Sequence, residues 1–150
     1  MAGIIKRIHQ TTRGQGLYEI TDLVASALAE IESGREGHSK LGQSQNGDGL
    51  CTLFIRHTSC SLIIQENADP SARHDLENWL NRLVPEGDSL YTHIYEGRDD
   101  MPAHIKSVLT ATQLSVPFEG GRLLLGTWQG IYLWEHRHAQ HQREIILHFN

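Results

Sequence analysis

Short aliphatic runs joined by brief connections constrain this chain's fold more than any other feature. Leu50 to Arg56 and Ser61 to Gln65 are rich in β-branched and aliphatic residues and are separated only by His57-Thr58-Ser59-Cys60. Gln113 to Phe118, Arg122 to Thr127, Ile131 to Glu135 and Arg143 to Phe149 repeat the pattern, divided by Gly or His/Gln turns. Such runs are long enough for buried strands and too short for helices. Connections of hairpin length favour antiparallel pairing, because parallel neighbours need crossovers of a dozen or more residues.

Two further strands are expected at Ile4 to Thr12 and Leu17 to Ile20, on either side of the turn Arg13-Gly14-Gln15-Gly16. Thr21 or Asp22 can then cap a helix whose Leu23, Val24, Ala27, Leu28 and Ile31 fall on one stripe. Asn67-Ala68-Asp69-Pro70 supplies a second helix start, with Asp69 as the cap and Pro70 in the first helical position. Its predicted inner stripe is Ala72, Leu76, Trp79, Leu80 and Leu83, and its Arg73, Glu77, Asn78 and Arg82 face reads as solvated. A third helix is predicted over Met101 to Ala111, with Met101, Ile105 and Val108 facing inward.

These elements predict an α+β fold: a sandwich of largely antiparallel mixed β-sheet covered by about three helices. With 150 residues and 39% apolar content the chain can bury one core and not two, so residues 1–150 are expected to form a single domain. Ser33 to Gly49 shifts to Gly, Ser, Gln and Asn, the composition of an exposed loop or insertion.

A formal net charge of -5, with no run of Lys or Arg, offers no long-range attraction for nucleic acid or an anionic membrane. Small phosphorylated compounds stay in play, since one local Arg or Lys can hold them. No window approaches the length needed to cross a bilayer and the first residues carry no apolar signal core, so a cytoplasmic location is expected. Cys51 and Cys60 lack the density and spacing of a disulfide scaffold and are expected to be reduced and structural.

Chemistry concentrates in three places. From Tyr91 to Lys106 the chain sets His93, Asp99, Asp100 and His104 around the Gly97 turn, just before the third helix. Imidazoles and carboxylates held this close make a divalent-metal or acid–base site, and a helix start would itself attract Asp99, Asp100 or a phosphate. In the second place, Leu53, Ile55 and His57 share a strand face, so His57 emerges where the core ends, beside Thr58, Ser59 and Ser61, whose hydroxyls and amides could bind phosphate. Glu66 likewise follows Leu62 and Ile64 on one face. In the third, Ile131, Leu133, Glu135 and Arg137 alternate with His136 and His138, so the Glu and Arg could pair or hold a metal-bound ligand while the histidines read as turn residues. No Gly-x-Ser-x-Gly elbow, nucleotide P-loop or Gly-x-Gly-x-x-Gly fingerprint occurs.

His-Thr-Ser-Cys-Ser-Leu at 57–62, Glu-Asn-Ala-Asp-Pro at 66–70, Asp-Asp-Met-Pro-Ala-His-Ile-Lys at 99–106, Leu-Gly-Thr-Trp-Gln-Gly-Ile at 125–131 and Glu-His-Arg at 135–137 together resemble the YjbQ family. The resemblance implies a compact α+β subunit that assembles into a homotrimer, with polar residues gathered in clefts near the subunit boundaries. It also implies a secondary thiamine-phosphate synthase activity, which joins a phosphorylated thiazole to a pyrimidine diphosphate with loss of pyrophosphate. Matched residue by residue, the implied site comprises His57, Glu66, Asn67, His93, His104, Trp128, Glu135 and Arg137. Cys60 stands where the family often has Ala.

The resulting expectation is a metal-assisted enzyme acting on small phosphorylated compounds. His57, His93 and His104 would hold a divalent cation, zinc or magnesium. Glu66 or Glu135 would transfer protons, Arg137 would clamp an anion, and Ser59, Asn67 and Trp128 would bind substrate. The alternative is a non-catalytic trimeric protein that binds a metal or metabolite in the same cleft.

Overall fold

A computed structural model describes residues 3–34 and 47–150. Its elements run β1 (Ile4–Thr12), β2 (Gly16–Glu19), α1 (Thr21–Ser33), β3 (Asp48–Ile55), β4 (Cys60–Glu66), α2 (Pro70–Leu83), α3 (Asp100–Leu109), β5 (Gln113–Glu119), β6 (Arg122–Leu123), β7 (Gln129–Glu135) and β8 (His141–Phe149). The strands form a five-stranded sheet, β1-β8-β3-β5-β6, and a three-stranded sheet, β2-β7-β4, and every pairing is antiparallel. This is the α+β sandwich predicted. Most of the loop expected over Ser33 to Gly49 lies outside the described residues.

The two sheets meet face to face. Leu53 and Ile55 of β3, Val116 and Phe118 of β5 and Ile145 and Leu147 of β8 pack against Leu62 of β4 and Ile131 and Leu133 of β7. Val24, Ala27, Leu28 and Ile31 of α1 join the same core, as their stripe predicts, whereas Leu23 is 39% exposed. Each fully buried aliphatic side chain contributes about 1.5–3 kcal/mol relative to exposure. On the outer face of the small sheet, Leu17, Tyr132 and Trp134 pack against Leu80 and Val84 at the end of α2. β7 is therefore buried on both faces, which hides its alternation from Gly130 to Glu135.

Local chemistry sets the element ends. Gly14 and Gly16 take φ of 130° and 144° in the β1–β2 turn, where a Cβ would be strained. Asp69 accepts from Ser71 N at 2.8 Å, the cap predicted for α2. Thr21 does not cap α1: its Oγ1 accepts from Ile131 N at 2.9 Å and donates to Glu19 at 2.9 Å, fastening the helix start to β7.

Four local expectations fail. The run Arg122 to Thr127 forms a strand only over Arg122–Leu123, because Gly126 and Gln129 close a turn in which Gly126 N donates to Gln129 Oε1 at 2.8 Å. On α2, Trp79 and Leu83 are each 52% exposed, and only Leu80 of the predicted stripe is fully buried. On α3 the inward face is Asp100, Ala103, Lys106 and Ser107, while Val108 stands 83% exposed. Small residues and polar anchors orient α3: Ser107 Oγ donates to Cys60 O at 3.3 Å, and Lys106 Nζ donates to Asn81 Oδ1 at 2.6 Å. His136 is not a turn residue exposed to solvent but is 1% exposed against Trp134.

Candidate metal centre and its surrounding cleft

α3 begins at Asp100, so Asp100 and His104 lie one turn apart on the same helix face. The loop before it returns His93 to that face. His93 Nε2 lies 2.7 Å and His104 Nε2 lies 3.5 Å from Asp100 Oδ2, and the two imidazoles meet edge-on with centroids 5.4 Å apart. One donor atom from each of the three residues falls within 4.8 Å of the others. Two imidazole nitrogens and a carboxylate are a donor set that zinc and other transition ions accept.

The carboxylate is fixed from behind. Asp100 is 2% exposed, and its second oxygen, Oδ1, accepts from Arg137 Nη1. Arg137 also donates from Nε to Asp99 Oδ2 at 3.2 Å and from Nη2 to Glu96 O at 2.7 Å. Burial works against ionisation of Asp99, but the His138 N–H and the Arg137 guanidinium carry its carboxyl below the usual range. Arg137 is thus committed to two carboxylates and a carbonyl and does not stand free as the anion clamp expected of it.

Glu135 is likewise engaged. It is fully buried and takes Arg143 Nε at 2.6 Å, Thr12 Oγ1 at 2.9 Å and Arg137 N at 3.1 Å. Arg143 lies on β8 and Thr12 on β1, so Glu135 bolts the end of the small sheet to the large one. Ser59, predicted to bind substrate, accepts from Arg143 Nη2 at 3.0 Å. The carboxylate of Glu135 is taken up in closing the sandwich, which leaves it no open oxygen for the proton transfer expected of it, whereas the Ser59 hydroxyl keeps its own proton to donate.

His57 borders the centre without joining it. Its Nε2 accepts from Glu144 N at 2.9 Å, so that nitrogen is not a ligand and the ring proton belongs on Nδ1. Burial, then the nearby Arg143 charge, holds its pKa below the ordinary histidine value and favours the neutral ring. Asp100 stands in the triad where His57 was expected. With His104, Ser107 and Thr112, His57 lines a cleft of about 380 Å³. On its other side a cleft of about 570 Å³ is bordered by Arg56, Thr58, Ser59 and Arg143.

Glu66, Asn67 and Trp128 lie elsewhere. Cys60 and Glu66 are opposite ends of β4, about 20 Å apart at strand rise. At the far end Asn67 N donates to Trp128 O at 3.0 Å, Asn67 Nδ2 donates to Glu19 at 3.3 Å, and Trp128 is 62% exposed. Within one chain the predicted site is thus two clusters at opposite ends of β4 and β7.

The sequence groups Asp100 with His93 and His104 but gives the third ligand place to His57, and it does not single out Arg143 and Lys106. The Asp100–His104 spacing was a readable signal for the first; nothing in the sequence marks Arg143, whose partners come from strands far apart in the chain.

The profile of the family described as UPF0047 protein YjbQ-like matches residues 6–150. UPF0047 protein YjbQ of Escherichia coli is 40% identical over 141 residues, covering 94% of this chain and 93% of its own. A UPF0047 protein of Synechocystis is 61% identical over 100 residues, 67% of this chain and 68% of its own. Among solved structures, a YjbQ/UPF0047 family protein from Clostridium acetobutylicum superposes with a TM-score of 0.75 at 31% identity, covering 98% of this chain and 99% of that one. A conserved hypothetical protein from Thermus thermophilus gives 0.71 at 34% identity, covering 94% and 97%. With its fold and nearly its whole length accounted for in this way, the chain belongs to the YjbQ (UPF0047) family.

Proposed function

We propose that the protein is a divalent-metal-dependent enzyme acting on small phosphorylated compounds. The convergence of His93, Asp100 and His104 beside a hydroxyl-lined cleft carries this reading. A metal held there would supply Lewis acidity and activate water. Two imidazoles and one carboxylate suit zinc or a similar transition ion better than magnesium, which prefers oxygen and water ligands.

The chain's own groups bind and orient. Arg137 holds Asp100 so that Oδ2 faces the imidazoles. His57, neutral and protonated on Nδ1, serves the cleft as a donor, and Thr58 and Thr112 add hydroxyls suited to phosphate oxygens. The thiamine-phosphate synthase reaction implied by the family resemblance belongs to this reading, since both reactants carry phosphate. So does the homotrimer: a neighbouring copy is what would bring a Glu66, Asn67 and Trp128 cluster to a centre that lacks them within one chain.

The rival reading, a metal or metabolite binder without turnover, draws on one observation: Glu135 and Arg137 are occupied by internal partners. Metal content of the purified protein and of His93→Ala and His104→Ala tests the centre. Unchanged metal in both variants rejects it. Formation of thiamine phosphate from the phosphorylated thiazole and pyrimidine diphosphate, lost on metal removal, separates enzyme from binder. Light scattering decides the trimer.

A further inference from the structure

α2 turns a second face, unrelated to its apolar stripe, toward α3 and the ends of β2 and β7. His74, Glu77, Asn78 and Asn81 recur at three- and four-residue spacing and so share that face. With Lys106 and His136 they bound a cleft of about 210 Å³ that neither His93 nor His104 lines. At liquid density it has the volume of about seven waters.

Lys106 is 2% exposed, and its Nζ donates to Asn81 Oδ1. Among the described residues no carboxylate lies within ion-pair distance of this ammonium. Buried charges without an opposite charge are costly. Arg137 and Arg143, by contrast, are each matched by carboxylates. An ammonium carries three donors, so Lys106 keeps two for a ligand, and Asn81, already accepting through Oδ1, has amide N–H groups to add.

The other end of the cleft has the opposite character. Glu77 Oε1 accepts from Leu17 N at 2.7 Å, and Gly16, where a Cβ would come within 3.0 Å of that oxygen, allows the approach. Glu77 and Asn81 are four residues apart on α2, about 6 Å along its axis. The cleft is therefore dipolar: cation and amide donors at one end, a carboxylate at the other.

We propose that this cleft binds a small monocarboxylate bearing a hydroxyl or ammonium group, its carboxylate on Lys106 and Asn81 and its donor on Glu77. Glu77 disfavours a second negative charge, so phosphate is the wrong class here although it is the expected class at the metal centre. The site goes beyond the metal reading and does not rest on it.

The test is an NMR titration of chelator-treated protein with glycolate, glycine, acetate and inorganic phosphate, following the side-chain amides of Asn78 and, where present, Asn81, which both line the cleft. Glycolate or glycine should give saturable shifts and bind about tenfold tighter than acetate, the worth of one charge-assisted hydrogen bond. Lys106→Met should weaken binding by at least about tenfold on the same scale. Should Lys106→Met misfold, Asn81→Asp supplies an internal counter-ion and should abolish binding while raising Tm. Glu77→Gln should erase the preference over acetate. Phosphate binding tighter than the carboxylates, or no saturable shift from glycolate and glycine at tens of millimolar, overturns the proposal.

Discussion

Arg137 holds one oxygen of Asp100 while the other oxygen of that carboxylate faces both His93 and His104. A buried carboxylate pinned on one side presents its free oxygen at a fixed place, which is how groups behind a ligand tune a metal site.

Arg137→Lys is therefore expected to lower zinc affinity by about 10–100-fold, the usual effect of losing such a supporting contact. Lysine keeps the charge but cannot span Asp99, Asp100 and Glu96 O as the guanidinium does. Competition against a chromogenic chelator measures the change. An unaltered dissociation constant in a folded variant would show that Arg137 has no part in orienting the centre.

Glu135 and Arg143 form a buried pair that joins the two sheets, so breaking it leaves an uncompensated charge. Arg143→Met should cost about 3–5 kcal/mol in urea unfolding. Replacing both, as Glu135→Leu with Arg143→Met, should recover much of that loss, because a buried pair exchanged for apolar groups is often close to neutral. Equal stability of the single and double variants would contradict the pairing.

The strand pattern and the start of α2 could be read from the chain because local signals, alternation and the Asp69-Pro70 cap, agreed with the tertiary structure. α3 defeated the same reasoning: Val108 lies on its apolar period, yet Asp100, Lys106 and Ser107 turn inward because each finds a polar partner that only the fold supplies. His93 and His104 were legible as neighbours across one glycine turn. The occupation of His57 by Glu144 N was not, since the two are 87 residues apart.

Burial pushes both thiols up to about 12, with little relief for Cys60 from the nearby Arg143. Neither should form the reactive thiolate near neutral pH while the protein is folded. A thiol-reactive chromophore should consume no sulfhydryl in buffer and both Cys51 and Cys60 in denaturant. Rapid modification of folded protein would mean that one of the two opens to solvent.

His136 is a source of acid sensitivity among the described residues. Burial foremost, then the charges of Lys106 and Arg143, pushes its pKa down to about 3, and its Nε2 pairs with Ser61 Oγ at 2.9 Å. Its folded pKa lies below its unfolded value of about 6.5, so the unfolded chain takes up the proton first as the solution is acidified. The stabilisation is complete above about pH 6.5 and is lost as pH falls toward 3, with a slope approaching 1.4 kcal/mol per unit at about pH 4–5. His57, also held below its ordinary value, acts in the same direction. Asp99 contributes only below about pH 4, where carboxylates titrate. His136→Asn should therefore flatten stability between about pH 6.5 and 4 more than His57→Asn does. Urea unfolding across that window measures both slopes, and an undiminished slope in His136→Asn would place the acid sensitivity elsewhere.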